Sequence, residues 1–284
     1  MTGFALAILT AFIVAGYNLC ARMWVVDSKS PLAFSIVYTT FAAIFSLGIL
    51  FLEPWQFSNV SPLWILLLVM AGLLYGLYDA TQFSARKYVE ASTLSLISQL
   101  SPVVAFVLAV ALLKEDPSAS KLTAVLLIIC GNLILLFKHS EKRWNSKGLW
   151  FGFAAALFTG VAYFVDSITF EHFPMALYAV TVYAIPALVV SLVFKLTGGT
   201  GAGLVEEFRR TTWKVPALSL IGVAGFYFLL KTYAVTPLSI AIPLVYSSTA
   251  LTVLGGIFLL NEREDIWKKI VGTAFVFAGI ILLN

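Results

Sequence analysis

Three charged side chains sit inside long apolar runs: Asp79, Asp166 and Lys231. A charge carried into a bilayer costs roughly 2.5–3.5 kcal/mol on insertion scales, so each marks a place where a proton, an ion or a polar solute is handled. Asp166 lies 19 residues beyond Lys147 and Lys231 lies 17 beyond Lys214. At about 1.5 Å per residue they reach similar depths, about 28 and 25 Å along helices that run the same way. An ion pair between the two is within reach. Asp79, close before Arg86 in the chain, would be satisfied by snorkelling toward Arg86 and Lys87. Polar and aromatic neighbours complete a candidate substrate site of Tyr17, Asn18, Tyr78, Asp79, Gln82, Gln99, Tyr163, Asp166, Tyr227, Lys231 and Tyr246, with Tyr75 and Tyr233 beside them. Tyrosine faces suit amphipathic or cationic solutes, at about 0.5–2 kcal/mol per cation–π contact. Membrane-interface belts use the same residue type.

No other group of residues offers catalysis or metal binding. The histidines, His139 and His172, fall in loops with no Asp, Glu or Cys at ligand spacing. Zinc chemistry and His-based acid–base catalysis therefore lack their parts. Cys20 and Cys130 lie in apolar segments and read as small buried residues, not as a disulfide or metal site. The glycines between Gly198 and Gly203 follow no strand and precede no Gly-Lys-Ser/Thr, which makes them a flexible turn and not a phosphate loop. No cofactor is expected. A transporter is the leading reading, with a non-transporting membrane subunit or a membrane-embedded enzyme as the alternatives.

The elements that must hold these residues are helices in a bilayer. Of 284 residues, 61% are hydrophobic and 11% charged, against about 25% charged in a soluble domain. Mean hydropathy is +0.97. A water-soluble enzyme is excluded, and the net charge of +4 reads as topogenic and not as a nucleic-acid surface. A span needs about 20 apolar residues, so about ten fit this length with short loops. Apolar runs broken by charge, Pro and Gly predict spans at 3–23, 31–52, 62–85, 91–113, 119–137, 147–170, 174–195, 214–234, 238–260 and 266–283. The first lacks a basic leader and reads as a span, not a cleaved signal. Between the seventh and eighth, LVEEFRRTTW predicts an interfacial helix with Leu204, Val205, Phe208 and Trp213 on the membrane and Glu206, Glu207, Arg209 and Arg210 in water. Of the 18 Lys and Arg residues, fifteen follow odd-numbered spans, two (Lys114 and Lys121) follow even-numbered ones, and Lys231 is inside a span. That bias puts both termini outside the cytoplasm. A multi-pass protein of the cytoplasmic membrane is expected, as a monomer or weak homodimer.

A polar linker, 139–146, separates two halves, 1–138 and 147–284, that resemble each other. GFALAILT (Gly3–Thr10) and GFAAALFT (Gly152–Thr159) share five identities in eight at an offset of 149. Pro31 opens the second span and Pro174 the seventh. LLKEDPSASKLTAVLLIICGNLILL (Leu112–Leu136) matches LLNEREDIWKKIVGTAFVFAGIILL (Leu259–Leu283), setting Glu115 against Glu262 and Gly131 against Gly279. Both glutamates read as helix caps or loop charges. A half of five spans is odd-numbered, so the second copy enters upside down, the inverted repeat of many secondary transporters, with a site between the copies near mid-membrane. At the offset of 149, Asp166 maps onto Tyr17 and Lys231 onto Gln82, which makes the symmetric scaffold electrically asymmetric there.

The doubled pattern of a span ending in Leu-Leu-x-Glu, a short polar turn and a span with a later Gly resembles the EamA-type, ten-helix branch of the drug/metabolite transporter superfamily over nearly the whole chain. SPVVAFVLAVALLKE fits that family's fourth helix, with Pro102 thirteen residues before Glu115; the ninth departs, with Thr249 at the matching place and its proline at Pro243. The resemblance implies an all-α integral membrane protein of two inverted five-helix repeats. It also implies an exporter or importer of small metabolites working by alternating access, with a cavity lined by spans one, three, four, six, eight and nine. Partners would be a small-molecule substrate, a coupling proton or ion, and the bilayer. Members of the family mostly keep both termini in the cytoplasm, and the charge count of this chain argues the opposite.

Overall fold

The computed structural model describes residues 3–53, 60–113, 119–136, 146–235, 245 and 248–282. Regular structure there is helical: α1 (Gly3–Val25), α2 (Pro31–Ser46), α3 (Pro62–Tyr88), α4 (Ala91–Ser98), α5 (Leu100–Leu113), α6 (Ala119–Leu136), α7 (Ser146–Thr169), α8 (Met175–Leu196), α9 (Gly201–Thr211), α10 (Lys214–Val235), α11 (Ser248–Leu259) and α12 (Ile266–Leu282). Short 3-10 turns, Leu47–Phe51 and Phe170–His172, continue α2 and α7. Seven stretches among the described residues are long and apolar enough to cross a bilayer: Gly3–Val25, Pro31–Phe51, Pro62–Tyr88, Ala91–Leu112, Ser146–Asp166, Met175–Leu196 and Lys214–Thr232. The protein is an all-helical integral membrane protein.

Local chemistry explains the helix boundaries. Pro31 and Pro62 open α2 and α3, where a missing N–H leaves no bond unmade. The Ser30 hydroxyl accepts from the Ala33 amide at 3.3 Å and caps α2. The fourth predicted span is two helices, because the chain breaks at Gln99 and Pro102 lacks the amide that would bond the Ser98 carbonyl. The predicted span 238–260 is helical over Ser248–Leu259, and Pro243 lies outside the described residues.

Packing joins the two halves of the chain throughout. α3 lies against α7 and α8, α2 against α8 and α10, α1 against α10 and α11, α5 against α7, α4 against α11, and α6 against α12. Gly72 and Gly76 of α3 allow one close approach: a Cβ there would stand 2.7 and 2.5 Å from the Cβ atoms of Ile185 and Val189 in α8. This is the small-xxx-small contact of membrane helices. The repeated glycines do the same for α6 and α12, since a Cβ on Gly131 would stand 2.8 Å from the Gly272 carbonyl and one on Gly279 2.7 Å from that of Ala124.

Polar contacts mark the two ends of the bundle. At one end Lys29 pairs with Glu206 at 2.5 Å, Lys269 pairs with Glu90 at 2.5 Å, and the Lys87 ammonium donates to the Ser28 carbonyl at 2.7 Å. Glu262 there is buried and caps α4, a helix of the first half: its Oε1 accepts from the Ala91 amide at 2.8 Å and its Oε2 from the Ser92 amide at 3.1 Å. At the other end Trp64 stacks on His172 with centroids 3.7 Å apart, and Ser120 donates to the Leu282 carbonyl at 2.9 Å.

Three sequence expectations are corrected here. Glu207 does not face water: it is 2% exposed, and its Oε2 accepts from the Lys29 and Ser30 amides at 3.2 and 3.4 Å. The two amides just before α2 and the positive dipole end of that helix draw the carboxylate inward. Gly201 and Gly203 belong to α9 and not to a flexible turn, because Thr200 caps that helix by accepting from the Gly203 amide at 3.2 Å. Cys130 is exposed, not buried, on a helix whose small residues face α12.

Candidate functional site

A cavity of about 170 Å³ lies at the meeting of α1, α2, α3, α7, α8 and α10. Among the described residues six tyrosines line it: Tyr17 from α1, Tyr38 from α2, Tyr75 and Tyr78 from α3, Tyr163 from α7 and Tyr183 from α8. Their spacing along α3 is helical, three residues apart, so Tyr75, Tyr78, Asp79 and Gln82 share the face turned to the cavity. Gly222 and Gly225 form the α10 wall, where the absence of a side chain lets Tyr38 lie against Gly222. The Tyr183 hydroxyl donates to the Gly222 carbonyl at 3.2 Å, which ties α8 to α10 across the site.

Asp79 is the acidic residue of this wall and is 5% exposed. Its Oδ1 accepts from the Gln82 amide at 2.7 Å. The Gln82 Oε1 in turn accepts from the Arg86 guanidinium at 3.1 and 3.3 Å. Arg86 also donates to the Asn18 carbonyl at 3.0 Å and to its Oδ1 at 2.8 Å, and its guanidinium lies 5.2 Å from the centre of the Tyr17 ring. The expectation that Asp79 reaches toward Arg86 is met through Gln82. Lys87 does not take part, being occupied by the Ser28 and Lys29 carbonyls. This relay joins α3 to α1 beside the cavity.

The expected Asp166–Lys231 pair does not form. The Lys231 ammonium pairs with Glu53, beyond α2, at 2.6 Å, and the Tyr227 hydroxyl donates to the same Glu53 oxygen at 2.7 Å. Burial pushes the Glu53 carboxyl up, but the Lys231 and Tyr227 hydrogen bonds and the Lys231 charge outweigh it and hold the group below the usual carboxylate value. Asp166 instead accepts two phenolic hydrogen bonds, from Tyr75 to Oδ2 at 2.5 Å and from Tyr178 to Oδ1. Equal depth does not bring the two together, because α7 packs on α3 and α5 while α10 packs on α1 and α2.

Of the predicted site residues, the cavity wall gathers Tyr17, Asn18, Tyr78, Asp79, Gln82 and Tyr163, with Tyr75. Gln99, Asp166, Tyr227 and Lys231 lie outside that wall; Gln99 is engaged by its own hydrogen bond to Thr249 of α11. Tyr246 and the side chain of Tyr233 lie outside the described residues. Among the described residues the wall also draws on α2 and α8, the second and seventh spans, which contribute Tyr38 and Tyr183. One signal for Tyr183 was present in the sequence: Pro186 sits inside α8 and removes the donor to the carbonyl of Val182, a residue of the same wall.

Comparison with known proteins places this geometry in a family. An uncharacterized transporter of Helicobacter pylori is 25% identical over 206 residues, and the match covers 69% of this chain but only 65% of that protein's length. A WAT1-related protein of Arabidopsis thaliana is 24% identical over 306 residues, covering 92% of this chain and 87% of its own. A solved crystal structure of a protein superposes with a TM-score of 0.62 at 18% identity, covering 98% of this chain and 97% of the other, a likeness of fold alone. The EamA-like transporter family matches residues 1–137 and 146–284, so that both halves carry the pattern and the chain belongs to this family.

Proposed function

We propose that the protein is a secondary active transporter of ten spans, built as two inverted five-helix repeats with both termini outside the cytoplasm. It moves a small amphipathic solute bearing a protonated amine by alternating access, as a monomer or weak homodimer. One observation carries the reading: a buried carboxylate, Asp79, faces a cavity walled by six tyrosines inside the helical bundle. A carboxylate there is costly unless a cation visits it, and the tyrosine faces receive both an apolar ring and the charge beside it. Arg86 is held by Asn18 and Gln82, which leaves Asp79 as the group available to the solute. Contacts between the halves along every helix suit rocking of one against the other.

Phenethylamine is the simplest probe. It should raise the melting temperature of the purified protein, and amino acids, nucleobases, polyamines and quaternary amines should serve as comparisons. In liposomes the protein should exchange labelled for unlabelled phenethylamine, and Asp79→Asn should weaken binding about tenfold or more. A zwitterion or an anion stabilising the protein better than any amine would overturn the choice of solute.

A further inference from the structure

We propose that Asp166 is a proton-binding site distinct from the solute site, and that Tyr75 couples the two. The proposal deepens the transport reading above and rests on it for the meaning of the coupling, but not for the existence of the proton site. Asp166 lies in the last turn of α7, and among the described residues no cation pairs with it. Its two oxygens are met by hydroxyls instead, Tyr75 from α3 and Tyr178 from the first turn of α8. Hydroxyls orient a carboxylate without neutralising it, so a bilayer-embedded group of this kind needs a mobile positive charge.

Among the described residues, other groups around it are apolar or engaged elsewhere. α5 brings Ala105 and Leu108 against Phe164 and Val165 of α7, Phe170 stands edge-on to Tyr178 at 5.4 Å, and His172, in the turn after α7, is stacked on Trp64. Among the described residues the titratable groups facing Asp166 are therefore Tyr75 and Tyr178, with Tyr163 one turn earlier on α7 itself. The turn Phe170–His172 follows within a few residues, which keeps the path to water short.

Tyr75 belongs to both sites, since its ring lines the cavity while its hydroxyl donates to Asp166. Its single hydroxyl hydrogen decides the coupling. With Asp166 ionised, Tyr75 and Tyr178 both spend their hydrogens on the carboxylate. When a proton arrives on Oδ2, that oxygen donates to the Tyr75 oxygen, and the Tyr75 hydrogen turns toward the cavity. One proton taken up at Asp166 thus changes what the cavity wall offers a solute. Its release restores the first arrangement, with no other bond made or broken.

Infrared difference spectroscopy of the protein in lipid bilayers, with pH as the only variable and no solute present, tests the proton site. Acidification should produce several protonated-carboxyl carbonyl bands, Asp79 among their sources, of which one component is lost in Asp166→Asn and shifted in Tyr75→Phe. A set of bands unchanged in Asp166→Asn would overturn the proposal. Should Asp166→Asn fail to fold, Tyr75→Phe and Tyr178→Phe keep the carboxyl in place, and a set of bands unshifted in both would be equally fatal. Coupling is read in liposomes with phenethylamine. Asp166→Asn should retain solute exchange while accumulation driven by an imposed pH gradient falls to that of protein-free liposomes. Retention of both activities, loss of both at wild-type melting temperature, or accumulation driven by sodium in place of protons would overturn it. A wild type that moves no phenethylamine would instead count against the function proposed above, and the infrared result would still decide the proton site.

Discussion

Lys231 and Asp79 were legible in the sequence for the same reason, as charges in apolar runs, but their partners were not equally so. Arg86 stands on the same helical face as Asp79, so spacing pointed the carboxylate toward it, but not to Gln82 as the group that joins the two. Glu53 is 178 residues from Lys231, in a polar turn where a carboxylate attracts no notice, and although Tyr75 stood among the candidate aromatics, nothing in the sequence paired it or Tyr178 with Asp166. The Glu53 pair makes a prediction with a definite sign. A carboxylate whose folded value is depressed contributes stability above its unfolded value of 4.5 and loses it as pH falls through the folded value. Lys231→Met should therefore lower the melting temperature near neutral pH, by the equivalent of about 1 kcal/mol for a partly exposed pair. Acidification below pH 4.5 should progressively erase the difference between variant and wild type. A difference that grows on acidification would show that Glu53 is not the group concerned.

Helices were the most legible level, because capping prolines and apolar runs are local: α3 was expected to open at Pro62 and does. What sequence could not show was which faces meet. Gly72 and Gly76 are only two of 19 glycines until α8 is seen to lie against them. Gly76→Ala would place a methyl group 2.5 Å from the Val189 Cβ, and an overpacked contact of this kind costs about 1–3 kcal/mol. Gly16→Ala in α1 is the control, since a Cβ there meets nothing within 4 Å, and it should leave stability unchanged or raise it by about 0.4–1 kcal/mol. Thermal unfolding in one detergent compares the two directly; equal destabilisation would refute the close α3–α8 contact. The interruption at Gln99 belongs to this level too, for Pro102 announced a missing bond but not that Gln99 would bond Thr249 across to α11.

At the scale of the whole molecule the family pattern covers residues 1–137 and 146–284, and the resemblance between the two halves is a reading of the sequence. Orientation is the property that family membership leaves to the individual chain. Arg22, Lys29, Arg86, Lys87, Arg209, Arg210 and Lys269 come from segments gathered at the end of the bundle where α9 lies. That end should face the cytoplasm. A fluorescent protein fused after Asn284 should stay dark in bacteria while a phosphatase fused there is active; the reverse would invert the assignment. The same end shows how the molecule has to be made. The amides of Lys29 and Ser30, just before α2, and those that open α4 find their acceptors in Glu207 and Glu262, up to 178 and 171 residues away. A ribosome that has delivered the first half to the membrane has delivered two helix ends whose acceptors are not yet translated. Early spans thus wait, incompletely bonded, for residues made near the end of synthesis. Exposure to quality-control proteases should be greatest in that interval, and the two halves, produced as separate polypeptides, should be short-lived alone and rescue each other when made together.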